Sequence, residues 1–334
     1  MNAEIGTRFN PNDRTPLQEV IPLRTPLVLF VDPSSVCNFR CKFCPCGLEN
    51  KENWNKDKTT NVMSYELFRK IIDDITEFPD KLKTLRLYKE GEPLINRYLP
   101  EMIYYAKKKD VAEKIDFTTN GSLLTPDLNF ALLDAGLDRI NISVEALTEE
   151  EYFNVSQVKI DMKNFRKNIE HLYKNRGNCK VFIKINDYGL GEHTVQEFYD
   201  MFGDMCDNIA VENITPVWPE FNLDKVEKKD FNVGIYNNEI KPVQVCPYIF
   251  YSMCVNSNGE VSACLMDWNH KLIVGDAKKE SLKEIWESKK MREMQVNHLS
   301  FKKEIYEPCS ECGQLKFAAM DNIDSYANDL LKSF

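Results

Sequence analysis

The 334-residue sequence has no apolar run approaching the roughly eighteen residues that a membrane helix needs. Its longest candidate, residues 26–31, reads as a strand, and a membrane is not an expected partner. The opening MNAEIGTRFNPNDRT lacks the apolar centre of a secretory signal, so a cytoplasmic location is expected. Lys and Arg form no long basic block, and the formal net charge is −9. The lysines at 81, 83 and 107–109 fall at expected helix ends or beside loops, which excludes nucleic acid as an expected partner. No Walker loop, nucleophile elbow or dinucleotide fingerprint is present, and Gly189-Leu190-Gly191 is too short to count as one. The four histidines, His171, His193, His270 and His298, show no ligand spacing. His270 is expected near the second cysteine group described below, and the others on the surface. There is no internal repeat and no low-complexity segment.

Cysteine, by contrast, is abundant: eleven in a chain with no secretory signal. A secreted disulfide framework belongs to small extracellular chains, so metal binding is the leading explanation, and the spacings must decide which metal.

The first 215 residues alternate strand-like and helix-like segments. Expected strands are 27–32, 84–88, 114–118, 139–144, 181–185 and 209–213, short and nearly continuously apolar, as buried parallel strands are. Between them, Ser64 caps an expected helix through Glu77, with Leu67, Ile71, Ile72 and Ile75 at helical spacing. Thr125-Pro126 opens another that Gly136 stops, and Asp161 caps 162–175. Such repeats predict an α/β fold, a partial (β/α)6 TIM-like barrel with its chemistry at the C-terminal strand ends. Residues 216–245, rich in Pro, Asn and charge, read as a linker. A small second unit then follows: a hairpin (250–255 and 260–265) around Asn256-Ser257-Asn258-Gly259 and a helix over 283–297. Expected boundaries are an extension over 1–24, a core over 25–215, the linker, a second unit over 246–320 and a C-terminal helix that ends in 321–334, starting at about Met320.

Just after the first strand comes Cys37-Asn38-Phe39-Arg40-Cys41-Lys42-Phe43-Cys44. Zinc would want a fourth close ligand, and Cys46, two residues beyond Cys44, offers only cramped geometry. Three thiolates around an iron–sulfur cluster leave one iron open for another ligand. The C-x3-C-x2-C spacing, with Phe43 before the last cysteine, resembles the signature of the radical S-adenosylmethionine (SAM) superfamily. The resemblance implies a four-iron, four-sulfur (4Fe-4S) cluster on Cys37, Cys41 and Cys44 that binds SAM at its open iron. It also implies cleavage of SAM to a 5′-deoxyadenosyl radical, a flavodoxin- or ferredoxin-type reductant, and Phe43 near adenine. Glu90-Gly91-Glu92-Pro93 follows the second strand, where the family carries Gly-Gly-Glu-Pro for the SAM amino group; Glu92 is the acidic position and Glu90 replaces the first glycine. By similarity, the segments holding Asn120 and Ser143 face the ribose and carboxylate of SAM, and Lys184 pairs with that carboxylate.

The second cysteine group is Cys246, Cys264 and Cys309-Ser310-Glu311-Cys312, with Gly259 shortly before Cys264. Four thiolates from two distant segments suit structural zinc or a fully ligated cluster equally well. The pattern resembles the Twitch extension of radical SAM enzymes, a shortened relative of the SPASM domain. That resemblance implies one auxiliary 4Fe-4S cluster on Cys246, Cys264, Cys309 and Cys312. Cys179 and Cys206 read as small buried hydrophobes and Cys46 as a neighbour of the first cluster. Cys254 has two readings, a buried thiol beside the auxiliary cluster or a hydrogen-atom donor to a substrate radical.

The overall layout resembles the 2-deoxy-scyllo-inosamine dehydrogenase group and related sugar- and cyclitol-modifying enzymes. It implies hydrogen abstraction from a carbinol carbon, with the auxiliary cluster taking one electron. Glu145, Lys184, Asn186, Glu212 and Asn213 are the candidate residues for substrate or proton removal, with Trp218 as an apolar wall. Epimerisation through Cys254 and modification of a peptide or protein are the alternatives. A cyclase of molybdenum-cofactor synthesis shares the layout but usually ends in Gly-Gly, whereas this sequence ends Lys332-Ser333-Phe334.

Overall fold

Six parallel strands form the middle of one sheet, in the order in which the chain makes them. They are β2 (Val28–Val31), β3 (Leu82–Arg86), β4 (Ala112–Thr119), β5 (Arg139–Val144), β6 (Lys180–Asn186) and β7 (Asn208–Glu212). All six expected strands are present, with ends shifted by no more than two residues. The computed structural model describes residues 1–7, 14–47, 61–219, 223, 226 and 231–334. Of the expected linker, residues 220–222, 224–225 and 227–230 lie outside the described residues.

Except for the helix between β3 and β4, each crossover helix starts where a side chain can satisfy a free amide. In α1 (Tyr65–Ile75) the Ser64 hydroxyl accepts from Leu67 N at 3.1 Å. Its core stripe is Phe68, Ile71, Ile72 and Ile75; the expected Leu67 is only half-buried, because Phe68 takes the inward position. The next helix, α2 (Leu99–Lys109), packs on α1. Thr125 and Asp161 cap α3 (Pro126–Asp134) and α5 (Met162–Asn175) as expected, with α4 (Glu149–Ser156) between them. Gly136, just past α3, sits at φ +89°, the left-handed region that glycine occupies without strain. A Thr194–Glu197 capping box opens α6 (Val195–Phe202). The result is the α/β, TIM-like partial barrel expected of the sequence.

The sheet runs beyond those six strands on both sides. At one edge β1 (Glu4–Ile5), from the expected extension, pairs with β7. At the other, β8 (Ser252–Val255) lies parallel to β2, from Val28↔Ser252 to Val31↔Val255. The strands β9 (Glu260–Ser262) and β10 (Ile273–Asp276) continue it antiparallel. The expected hairpin therefore exists but is shorter, and it extends the core sheet. Residues 250 and 251 belong to a short helical turn, and the chain leaves β9 before Cys264.

Two expected helices are corrected. The stretch 283–297 is two helices, α7 (Leu282–Trp286) and α8 (Lys289–Leu299), because Ser288 accepts from Met291 N and starts a second cap. The C-terminal stretch holds only one α-turn, Ala327–Leu330, between two 3-10 turns. Here the Asp324 carboxylate accepts from Gln244 N and Val245 N, which holds residues 320–326 against the preceding segment instead of in a helix.

The C-terminal part also binds α1 and the segment before β2. Leu282 N donates to Asp74 at 3.2 Å, Lys70 Nζ to Glu280 O at 2.9 Å, and Trp286 Nε1 to Leu23 O at 2.9 Å. No helix among the described residues is long and apolar enough to cross a membrane. A chain ended after Gln244 would leave the β2 edge and the α1 face bare. It is expected to aggregate in size-exclusion chromatography; a stable monomeric core would contradict this dependence.

Candidate functional site

The segment after β2 is held in place from two sides. Gly91 N donates to Ser34 O at 3.1 Å and Glu92 N to Val36 O at 2.9 Å, so the loop after β3 lies on the residues leading into Cys37. A methyl group on Gly91 would stand 2.3 Å from Val36 O, so no larger residue fits this approach. Asn120 Nδ2 donates to Asn38 Oδ1 and Asn38 Nδ2 to Ser122 Oγ, bracing the cysteine loop on the loop after β4. On its far side, Arg40 N and Lys42 N donate to the end of α4 at Ser156 O and Val155 O.

Cys37, Cys41 and Cys44 all lie in this braced loop. Burial pushes the Cys37 thiol up to about 12, and Cys41 well above its ordinary value, with Glu145 adding to the shift. Such thiols ionise only beside a strong positive charge, which bound iron supplies. Cys46 is turned aside, its thiol donating to Glu90 O at 3.1 Å, which leaves three thiols in the loop. That set fits a cluster with one free iron. Phe43 packs edge-on against Tyr188 at 6.2 Å.

Around this loop the strand ends place further expected residues. Glu92 is buried, and its carboxylate accepts from Thr119 Oγ1 (2.6 Å), Asn120 N (2.8 Å) and Leu94 N (3.0 Å). The side chain therefore fastens its own loop, and burial still lifts it to about 7 despite these donors. Ser143 lies half-buried on β5, and Glu145 follows the strand. Burial raises Glu145 to about 7 against the opposing Lys184 ammonium. Lys184 itself donates to Glu212 at 2.5 Å. Asn186 accepts from Gly189 N, and Asn213 donates to Gly234 O and Asn237 Oδ1; both side chains are engaged in local structure. Trp218 packs edge-on against Trp268 at 5.0 Å.

The second set of cysteines converges from three segments. Cys246, Cys264, Cys309 and Cys312 line one cavity, walled by Ile249, Met266, Leu272 and Leu315. Burial raises the Cys264 thiol most, and the neighbouring Cys246, Cys312 and Cys309 add to the shift. Among the described residues no three His, Cys, Asp or Glu side chains are drawn together tightly enough for a single metal ion. Four thiols around an apolar cavity fit a fully ligated cluster.

Between the two sets lies a buried polar network that the sequence pattern did not reveal. Lys89 Nζ, completely buried, donates to Glu90 Oε1 (3.0 Å), Asn256 Oδ1 (2.6 Å) and Asp267 O (2.8 Å). Burial disfavours its charge, but Glu90 and Asp267 outweigh it and hold the ammonium above its ordinary value. His270 bridges Glu90 (2.8 Å) and Glu260 (3.1 Å), while Asp267 accepts from Ser262 Oγ, Lys271 N and Leu272 N. Glu90, which stands where the family motif carries its first glycine, thus ties the loop after β3 to the loop after Cys264. Removing one partner of such a buried pair costs about 3–5 kcal/mol. Cys254 is fully buried on β8 beside Lys89, and burial pushes its thiol far up. Cys179 and Cys206 are core residues. His298, expected on the surface, is fully buried and lines the cavity of the four cysteines. The helical spacing of Met291, Met294, Gln295 and His298 marks the inward face of α8 and was the missed signal.

Residues 31–205 match the family model for the radical SAM superfamily, and residues 246–313 match SPASM, an iron–sulfur cluster-binding domain. The chain is 25% identical to the tungsten-containing aldehyde ferredoxin oxidoreductase cofactor-modifying protein of Pyrococcus furiosus, over 90% of this chain and 92% of that one. It is 30% identical to the GTP 3′,8-cyclase of Clostridium botulinum over 52% of this chain, spanning about half (51%) of the cyclase. Among solved structures, BtrN in complex with AdoMet and 2-DOIA aligns with a TM-score of 0.55 at 15% identity, over 86% of this chain and 92% of BtrN. Streptococcus suis SuiB bound to precursor peptide SuiA aligns at 0.62 and 16%, over 90% and 72%. Both structures share the fold.

The raised Glu145 carboxyl has a consequence for stability. Below about pH 4.5 it is neutral folded and unfolded; between 4.5 and 7 only the unfolded chain ionises, so stability falls across that window. In the metal-free chain, Glu145→Gln is expected to gain on the order of 2–3 kcal/mol relative to wild type between pH 4.5 and 8, read by urea denaturation. A difference independent of pH would contradict the assignment.

Proposed function

Because this chain belongs to the radical SAM superfamily and carries a SPASM-type cluster domain, we propose that it oxidises a carbinol carbon of a sugar or cyclitol. In this reading Cys37, Cys41 and Cys44 hold the SAM-binding 4Fe-4S cluster, and Cys246, Cys264, Cys309 and Cys312 hold the auxiliary one. When bound, these groups supply a 5′-deoxyadenosyl radical for hydrogen abstraction and an acceptor for one electron. The chain's own residues then bind the substrate and take its hydroxyl proton. Loss of a hydrogen atom, that proton and one electron converts the alcohol to a ketone.

The observation that carries this reading is the group at the ends of β5, β6 and β7. The Lys184–Glu212 pair stands at 2.5 Å, with Glu145 brought close to neutrality beside it. A carboxylate held by an ammonium can accept a proton, and a carboxyl near 7 exchanges one readily at neutral pH. Gly91 lets the loop after β3 approach the cysteine segment, Glu92 and Asn120 fasten the loops around it, and Ser143 and Phe43 flank the SAM side. A small-molecule substrate is in keeping with relatives named for GTP cyclisation and for cofactor modification. A cytoplasmic setting with a flavodoxin- or ferredoxin-type reductant would supply the electron for SAM cleavage.

The test is anaerobic turnover with amino sugars, nucleotide sugars, cyclitols and peptides, scoring 5′-deoxyadenosine and product in deuterated solvent. A cyclitol or sugar ketone without solvent label is expected. Glu212→Gln should lower product formation by about 10²–10⁴-fold while leaving iron content unchanged. Turnover with peptides alone would overturn the substrate class. Solvent deuterium at one product carbon would indicate hydrogen return from Cys254 and an epimerase.

A further inference from the structure

His298 sits near the end of α8 on the stripe that faces the core, and none of its surface is exposed. Among the described residues neither Nδ1 nor Nε2 has a hydrogen-bond partner. Its ring stacks on Tyr306 with centroids 5.9 Å apart and planes 16° from parallel, which fixes its orientation. Tyr306 is held in turn, its hydroxyl accepting from Asn297 Nδ2 at 3.0 Å. The imidazole lines the cavity shared by Cys246, Cys264, Cys309 and Cys312.

A buried imidazole left without partners is costly, on the order of 1–3 kcal/mol. The stack on Tyr306 and the helix position leave it little freedom to turn elsewhere. The cavity walls are largely apolar, and its nearby cation, Lys303, donates to Cys309 O at 3.2 Å. Asp267 also lines the cavity, but its carboxylate already accepts from Ser262 Oγ, Lys271 N and Leu272 N, which leaves sulfur as the acceptor for an imidazole N–H there. Burial and the Lys303 charge lower His298 to about 4, so at neutral pH it carries one N–H donor and no net charge.

We propose that His298 is a positioning residue for the auxiliary cluster, its imidazole N–H donating a hydrogen bond to a sulfur of the group that the four cysteines hold. The inference rests on the reading of those cysteines as cluster ligands. A donor aimed at cluster sulfur stabilises the extra negative charge of the reduced state and raises the reduction potential. His298 would thereby set how readily the auxiliary site accepts an electron.

The test uses the full-length chain with Cys37, Cys41 and Cys44 replaced by Ala, so that only the second site loads with iron. His298→Phe keeps a ring against Tyr306 but removes the donor; His298→Gln keeps an N–H. With iron content unchanged, His298→Phe should weaken reduction about tenfold, ~59 mV for a one-electron couple, in a redox titration followed by electron paramagnetic resonance. His298→Gln should recover at least half of that shift. Weak hyperfine coupling from ¹⁵N-labelled histidine to the reduced cluster is expected in the parent and absent from both variants. An unchanged potential in His298→Phe, or equal losses in both variants, would overturn the hydrogen bond. Strong coupling with loss of iron in both variants would make His298 a direct ligand and also overturn it. A parent that loads no iron would instead overturn the reading of the four cysteines, and the inference with it.

Discussion

The parallel pairing of β8 with β2 is the constraint on which both cysteine sites depend. The strand β2 delivers the chain to Cys37 within six residues, and β8, in register beside it, leads through a short hairpin to Cys264. Two sites whose cysteines are separated by more than two hundred residues are thus fixed to adjacent strands of one sheet. The backbone ladder sets their separation, and α7 packing on α1 prevents the C-terminal part from swinging away. Electron transfer between two centres depends steeply on distance, and a shared sheet fixes that distance more firmly than a linker between separate bodies would.

The second constraint is electrostatic. Of the seven expected ligand cysteines, Cys41, Cys246 and Cys264 are buried, where a thiolate would be unfavourable until iron supplied compensating charge, so the rest of the fold must hold the loops around both sites. Around the first site, hydrogen bonds from Asn38, Asn120 and Glu92 hold the loops. Around the second, Asp267 and its three donors fix the chain just after Cys264. Lys89 joins the two, since its ammonium meets Glu90 on one side and Asp267 O on the other. A change in one loop is therefore felt in the other through a single buried cation and its partners.

Much of this was legible in the sequence because its signals are local. Strand periodicity, the caps at Ser64, Thr125 and Asp161, and the cysteine spacings each depend on a few neighbouring residues. What was not legible depends on contacts distant in sequence. The parallel pairing of β8 with β2 leaves no mark in either strand, so the hairpin reads as the start of a separate unit. Nothing local to Lys89 and Glu90 shows that Asn256 and His270, more than 160 residues later, are their partners. The break at Ser288 was readable from its capping chemistry, but the apolar period on either side concealed it. His298 shows that a lone histidine on an inward stripe should be read by the stripe and not by its polarity.

The central claim is that the chain holds two clusters of different kinds, one open to SAM and one closed by four thiolates. Electron paramagnetic resonance of the anaerobically reconstituted, reduced protein, with and without SAM, tests it most directly. The account predicts about eight iron per chain in two 4Fe-4S signals. SAM should shift one of them, the one lost when Cys37, Cys41 and Cys44 are replaced, and leave the other unchanged. Two signals that both respond to SAM, or a single signal with about four iron, would contradict it.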